Sequence, residues 1–198
     1  MKVSEIAKRM TIPHTKVKRY TREFLGPDAQ ATKRSGHARD LNVSQAHTLF
    51  LGGYLVSTLE YTVFQARQIM DDLSGFFEEK GLLPESSPNY AALGLVGIVL
   101  EIFPVEGGCF YYLVREIISS HQDPKDPTCL VDKYREYSLW PKNSGSSIKF
   151  NQFNSRVINI SILLELFRAE FSDIRGPSKR PRSADFLNNV LCIPYVTS

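Results

Sequence analysis

Pro13 and the pair Gly26-Pro27 constrain this chain more than any other feature, because they cut residues 3 to 25 into two short helical segments joined by a tight turn. Proline disfavours helical geometry at the residue before it and suits the opening of a new helix. The first helix must therefore end near Thr11 and Ile12, and the second begins near His14. Ser4 stands where an N-cap belongs, with Ala7 in place of the Glu or Gln of a full capping box. Ile6, Ala7 and Met10 share one face at helical spacing, whereas Lys8 and Arg9 point elsewhere.

The second segment repeats the pattern with a stronger polarity. Val17, Tyr20, Phe24 and Leu25 form the inner stripe; Thr15, Lys16, Lys18, Arg19 and Arg22 lie largely outside it. A short helix, a turn of a few residues and a second helix with a cationic outer face is the helix-turn-helix arrangement, whose second helix enters the major groove. Such a face on a random basic helix is most often only solvated. The sequence that follows argues for more: Lys33, Arg34, Ser35, Gly36, His37, Ala38 and Arg39 make a basic loop with a glycine at its apex, the expected form of a two-stranded wing that offers cations to phosphates.

From Val3 to about Leu73 the chain resembles the DNA-binding domain of the MerR family of transcriptional regulators. Ser4-Glu5-Ile6-Ala7 matches the opening helix, Thr15-Lys16-Val17-Lys18-Arg19-Tyr20 the core of the recognition helix, and Gly36 with Arg39 the wing. Leu41 and the polar cap Asn42-Val43-Ser44 then open a third helix; Tyr61-Thr62-Val63, Ile69 and Leu73 echo a fourth. Three departures stand out. Thr11 occupies a place where a turn glycine is common, His37-Ala38 replaces the usual aromatic after the wing glycine, and Glu60-Tyr61 replaces the customary Gly-Phe. The resemblance implies a winged helix-turn-helix that binds double-stranded DNA as a two-fold homodimer on palindromes. Its contacts would come from Thr15, Lys16, Lys18 and Arg19 near bases or phosphates, from Tyr20 and Arg22 on the backbone, and from Lys33, Arg34, His37 and Arg39 on flanking phosphates.

Charge is divided in the same way. Residues 1 to 50 hold ten Lys and Arg against four Asp and Glu, while the rest hold fourteen against seventeen, so the net +3 of the 198-residue chain conceals a basic amino-terminal part. This is the footprint of one region that binds a polyanion and another that does not. An apolar content of 42% excludes wholesale disorder. The odd set Cys109, Cys129 and Cys192, with no CxxC spacing, fits a reducing compartment, and a cytoplasmic, nucleoid-associated location is expected. Lys2, Glu5, Lys8 and Arg9 interrupt any signal-like run, and the ten uncharged residues Ala91 to Leu100 fall short of the roughly twenty that span a bilayer. No membrane association is expected.

The expected fold class is α+β: a winged helix-turn-helix domain over residues 1–80, a hinge over 81–89 (GLLPESSPN), and a small mixed α/β domain over 90–198 for effector binding or oligomerisation. No sustained heptad follows residue 80, so the long antiparallel dimer helix usual in MerR proteins has no counterpart here. Leu93–Phe103 and Cys109–Ile118, joined by Gly107-Gly108, suit a hairpin, although Phe110, Leu113, Val114 and Ile117 also fit a helical stripe. Ser119–Thr128 reads as a loop, Ile148–Phe153 as a half-buried strand, and Leu163–Phe171 as a helix end after β-branched Val157–Ile162. The basic, Pro-rich run RGPSKRPRS at 175–183 either touches phosphates or is a solvated connector.

No enzyme constellation is visible: there is no Gly-rich phosphate loop and no G-x-S-x-G element, and His121 with Cys129 has nothing to activate it. No metal site or cofactor is expected either, since structural zinc demands four closely spaced ligands. Phe103, Phe110, Tyr111, Tyr112, Tyr134, Tyr137 and Trp140 would line a pocket for a small-molecule effector or, more simply, fill a core; a protein effector at the carboxy-terminal domain is equally open. The expected function is a sequence-specific transcriptional regulator. The alternatives are an architectural factor, such as an excisionase or a plasmid or phage segregation protein, and an enzyme delivered to nucleic acid by its basic first domain.

Overall fold

Helix α1 (Val3–Arg9) begins without the cap expected of Ser4. Its N-cap position is Lys2, in extended geometry and without a side-chain cap, because the chain start is held instead by a bridge between Lys2 and Asp40. The Leu41 amide donates to the Met1 carbonyl at 2.8 Å, and Lys2 Nζ lies 3.0 Å from Asp40 Oδ1. The computed structural model describes residues 1–26, 39–83, 97–105, 107–126, 129–139 and 154–171.

At its other end α1 closes in a Schellman motif. The Ile12 amide donates to the Ala7 carbonyl (3.1 Å) and the Thr11 amide to the Lys8 carbonyl (3.3 Å), which forces Thr11 to a φ of 53°. Helix α2 (His14–Leu25) follows from Pro13 and stops at Gly26, whose φ of 66° suits a residue without Cβ. Helices α3 (Val43–Ser57) and α4 (Val63–Glu79) each open on a complete capping box, Asn42 with Gln45 and Thr62 with Gln65. Between them Glu60 sits at a φ of 60°. Helix α4 ends in a second Schellman motif, this time with Gly81 in the left-handed position and Leu82 returning its amide to the Phe77 carbonyl at 2.8 Å.

Strands β1 (Gly97–Pro104), β2 (Phe110–Gln122), β3 (Leu130–Leu139) and β4 (Arg156–Asn159) form an antiparallel sheet in the order β3-β2-β1-β4. The expected hairpin is present, turning at Gly107 and Gly108 with φ of 89° and 78°. Burial at Phe110, Tyr112, Val114 and Glu116 has the period of two that a strand requires, so the helical alternative for this run does not hold. β2 continues past its expected end: Ser119–Gln122, read as loop, pairs with residues 130–133 in a ribbon exposed on both faces. A ribbon with no buried face carries no apolar alternation to betray it. The Ala91–Leu100 run is a buried strand from Gly97 onward, whereas the strand expected over 148–153 lies outside the described residues.

Helix α5 (Ile160–Phe171) starts three residues before its expected point. The Asn159 side chain accepts from the Ile162 amide at 3.1 Å, and this local cap outweighs the β preference of Ile160 and Ile162. The observed architecture is thus mixed α+β, with five helices and one four-stranded sheet among the described residues.

The hinge expected over 81–89 falls mostly on residues outside those described, and the elements on either side of it meet directly. Leu51, Leu55, Tyr61 and Ile69 from α3, α4 and their connection join Ile98, Leu100, Ile102, Tyr112, Val114 and Ile158 of the sheet in one apolar cluster. Two polar contacts key α4 to the same face: the Tyr112 hydroxyl donates to Asp72 Oδ2 at 2.6 Å, and Lys80 Nζ lies 2.7 Å from Glu116 Oε1. Glu116 is 2% exposed. Burial would raise its pKa, but hydrogen bonds from Lys80 and Tyr137 outweigh that and hold it below the ordinary carboxylate value. A second cluster joins Val3, Ile6, Ala7, Val17, Tyr20, Leu41, Ala46 and Leu49 to Phe167 and Phe171 of α5. The last of the described helices therefore packs on the first.

Candidate nucleic-acid interface

The α1–α2 unit presents α2 to solvent along one side only. Val17, Tyr20 and Thr21 are buried, and the Thr21 hydroxyl is satisfied by the Val17 carbonyl at 2.8 Å, which keeps this polar side chain compatible with a core-facing position. At 3.6 residues per turn, Thr15, Lys18, Arg19 and Arg22 fall within about a third of the helix circumference on the opposite side, and Lys16 borders them. All five are exposed. Among the described residues, none of Lys16, Lys18, Arg19 and Arg22 has a carboxylate within ion-pair distance, although Glu23 stands four residues beyond Arg19.

Cations elsewhere are treated differently. Lys2 pairs with Asp40, Arg9 with Glu5, Arg67 with Asp71 and Lys80 with Glu116. Arg115 sits between Glu101 and Glu136, Arg135 reaches Glu116, and Arg168 pairs with Glu165. Among the described residues, the α2 face is thus a concentration of unneutralised positive charge, whereas most of the other arginines are paired. Such a face attracts polyanions and raises their local concentration.

Tyr20, expected against a phosphate, is the candidate the structure takes away from the surface. It is 4% exposed, stacks on Phe24 with ring centroids 5.6 Å apart, and packs among Val17, Ala46 and Leu49. Its place on the inner stripe decides this: the ring fills the core between α2 and α3. Burial raises the pKa of its hydroxyl, with Arg19 acting in the opposite sense. Arg39 is half-buried and donates to the Gly26 carbonyl at 2.9 Å, tying together the two ends of the segment between α2 and α3. Lys33, Arg34 and His37 lie outside the described residues. The sequence reading passed over Lys8 and His14, which are exposed on the same two-helix unit; Lys8 too has no carboxylate partner among the described residues. Their helix-end positions, off the regular stripe, hid them.

No protein-family model, curated protein or solved structure matches this chain.

The other candidate chemistry is dispersed. His121 is exposed on β2 opposite Val131, and the Cys129 thiol lies 3.3 Å from Asp126 Oδ2. Among the described residues no group of three or more His, Cys, Asp or Glu side chains converges as a metal site would. The aromatic residues are divided between core and surface. Phe110 and Tyr112 are buried in the sheet core, Tyr134 is exposed with the Arg115 guanidinium 5.6 Å from its ring centroid, and Trp140 lies outside the described residues. A recess of about 10 Å³, room for about one water, does lie between α3, the end of α4 and α5, lined by His47, Leu51, Phe77, Leu82, Ile160, Leu163 and Leu164. Small-molecule sites usually enclose about 300 Å³ or more. Among the described residues, no helix is long and apolar enough to cross a membrane.

Proposed function

We propose that this protein is a sequence-specific, double-stranded-DNA-binding transcriptional regulator rather than an enzyme, with α2 laid in the major groove. The observation that carries the reading is the exposed face of Thr15, Lys16, Lys18, Arg19 and Arg22, whose cations have no carboxylate partner among the described residues. Arg19 and Lys18 are long enough to reach base edges or phosphates from the middle of a docked helix, and a good bidentate base contact is worth about 1–3 kcal/mol of discrimination. The basic residues Lys33, Arg34, His37 and Arg39 are assigned to flanking phosphates, where they add affinity without sequence choice. By its resemblance to MerR regulators, the protein would act as a homodimer on a palindromic site.

The backbone supports the same reading. Thr11 and Glu60 stand where a MerR-like domain commonly has glycine, and among the described residues they are the two non-glycine residues with positive φ. Both residues adopt the left-handed geometry that a glycine would supply at those positions.

A duplex titration at two salt concentrations, on a site selected from a random pool, tests the proposal. Arg19→Ala should weaken specific binding by more than about 1 kcal/mol and relax base preference, whereas Lys33→Ala should lower the slope of log K against log salt by about one and leave preference intact. If the wild-type protein binds duplex DNA at low salt no better than an acidic protein does, the assignment fails.

A further inference from the structure

Helix α4 turns one face directly away from the core. Ala66, Ile69, Leu73, Phe76 and Phe77 are buried, and on the opposite side Phe64, Asp71, Gly75 and Glu78 fall within about 60° of one another, with Arg67 and Ser74 along their edge. All six of these outward residues are exposed. Phe64 is 77% exposed, the most of any large apolar side chain among the described residues. A single exposed ring is ordinary on a protein surface. Here, however, Gly75 lies three turns further along the same line, with nothing among the described residues within 4 Å of where its Cβ would stand, and the Ser74 hydroxyl beside it is folded back onto the Asp71 carbonyl at 2.8 Å. Midway between this knob and this notch stand Arg67 and Asp71, of opposite charge. Their Nε and Oδ2 atoms are 3.8 Å apart on side chains 58% and 76% exposed, so water screens the pair and leaves both groups open to other partners.

Resting on the homodimer of the proposed function, we propose that this face of α4 is its interface, packed antiparallel against α4 of a second copy of the chain across a two-fold axis near Ile69 and Met70. A two-fold axis requires a self-complementary surface, in which residue i meets j wherever j meets i. Along the helix, the midpoint of Phe64 and Gly75 and that of Arg67 and Asp71 agree to within a residue. One antiparallel register therefore sets each Phe64 ring over the partner's Gly75 and each Arg67 beside the partner's Asp71. Helical side chains lean toward their own N-terminus, which is the C-terminal direction of an antiparallel neighbour, so the ring arrives in the gap between the partner's Asp71 and Glu78. A parallel arrangement would set Arg67 against Arg67 and Asp71 against Asp71. Glu78 comes to lie by the first turn of the partner's α4, which has no acidic residue of its own to complement the positive end of the helix dipole. Glu60 stands at the same rim, exposed, where solvent screens it. Strand β3, at the edge of the described sheet, is a poorer candidate for self-pairing. A two-fold axis at Asp132, Lys133, Arg135 or Glu136 sets that residue against its own copy, and one at Tyr134 opposes Lys133 to Arg135 and Asp132 to Glu136. Two 17-residue helices, each about 25 Å long, make a contact at the low end of specific interfaces; the dimer is thus weak in solution and is completed on DNA, where adjacent half-sites hold two copies together.

Sedimentation equilibrium of the full-length chain without DNA reads this interface directly. We expect a monomer–dimer equilibrium with a Kd of about 1–100 μM for the wild type. Phe64→Ala should weaken it about tenfold or more, and so should Gly75→Gln, which fills the notch with a better helix former, so that its effect does not come from melting α4. Arg67→Asp and Asp71→Arg should each weaken it about threefold or more, since each sets like charges together on both sides of the axis. An equimolar mixture of these two variants should regain wild-type affinity, because every pair across the axis is then matched. A dimer indifferent to all four substitutions, or charge variants that stay dissociated when mixed, overturns the α4 interface and leaves the homodimer standing. A wild type that stays monomeric up to about 1 mM overturns the interface and the solution dimer together. The duplex titration decides the DNA-binding reading separately, and its failure would leave these expectations unchanged.

Discussion

Protonation of His47 should be a source of acid sensitivity in this fold. The imidazole is on α3, 8% exposed, edge-on to the Phe167 ring at a centroid distance of 5.0 Å. Burial, with a smaller contribution from the Arg168 charge, lowers its pKa from 6.5 to about 4. The folded state therefore prefers the neutral ring and the unfolded chain takes up the proton first. Stability is fully present above pH 6.5 and is lost as pH falls through the window from 6.5 to 4. The shift corresponds to about 3 kcal/mol once both states are protonated, and to about 2 kcal/mol at pH 5. Urea unfolding of wild type and His47→Leu at pH 7.5, 6, 5 and 4.5 isolates this contribution, because the other histidines and the carboxylates cancel in the difference. Leucine is of similar size and suits the apolar surroundings, so any offset at pH 7.5 is constant across the series. The stability of wild type relative to the variant should fall by about 2 kcal/mol between pH 7.5 and 5. Parallel pH profiles for the two proteins would mean that the ring is solvated or hydrogen-bonded when folded, and the reasoning from burial would be wrong.

Three further outcomes follow from local geometry. Thr62→Ala removes the hydroxyl that accepts the Gln65 amide at 3.2 Å and should lower stability by about 1 kcal/mol, read as a drop of a few degrees in Tm. Gly52→Ala places a methyl group against the Phe24 ring between α2 and α3 and should cost about 1–3 kcal/mol, whereas Gly75→Ala, with open space around it on α4, should gain about 0.5–1 kcal/mol; similar values for the two in urea unfolding would mean that α2 packs more loosely on α3 than described. Thr11→Gly and Glu60→Gly remove left-handed strain of about 1–2 kcal/mol each, partly offset by chain entropy, so calorimetry should record a small rise in Tm for both. A fall in Tm would show that the side chains contribute more than their backbone geometry costs.

The two-helix unit was legible because punctuation and period agreed. Pro13 and Gly26 bound α2 on both sides, and the alternation of Val17 and Tyr20 with charged residues left one face for the core. The inner stripe already contradicted the assignment of Tyr20 to a phosphate, since one ring cannot both fill the α2–α3 core and stand at the surface. Ser4 misled because a good capping residue says nothing about tertiary tethering, and the Lys2–Asp40 bridge starts the helix two residues earlier. The Ser119–Gln122 ribbon was illegible because period-two patterning exists only where one face is buried. The packing of Phe167 and Phe171 on α1, α2 and α3 joins residues more than a hundred positions apart; no local pattern encodes such a partner.

The charge arrangement on α2 is hard to explain by folding alone. Lys16 with Arg19, Arg19 with Arg22, and Lys18 with Arg22 are like-charge pairs at i,i+3 or i,i+4, each opposing the helix by about 0.2–0.5 kcal/mol. The first turn of α2 has no acidic residue to complement the helix dipole, and Lys16 stands there instead. An ion pair at such a surface would stabilise the fold by only about 0–1 kcal/mol, so nothing in folding strongly demands one, but nothing in folding favours three mutual repulsions either. Among the other described residues, opposite charges lie within reach of most arginines. A stripe that destabilises its own helix by about 1 kcal/mol is accounted for when a polyanion lies against it, since charge-assisted contacts to several phosphates outweigh that cost. A solvated face with no ligand offers no such compensation. Charge reversal discriminates between the two: Lys18→Glu should stabilise α2 in urea unfolding while weakening duplex binding, and a variant that lost both stability and binding would show that the cations serve the fold instead.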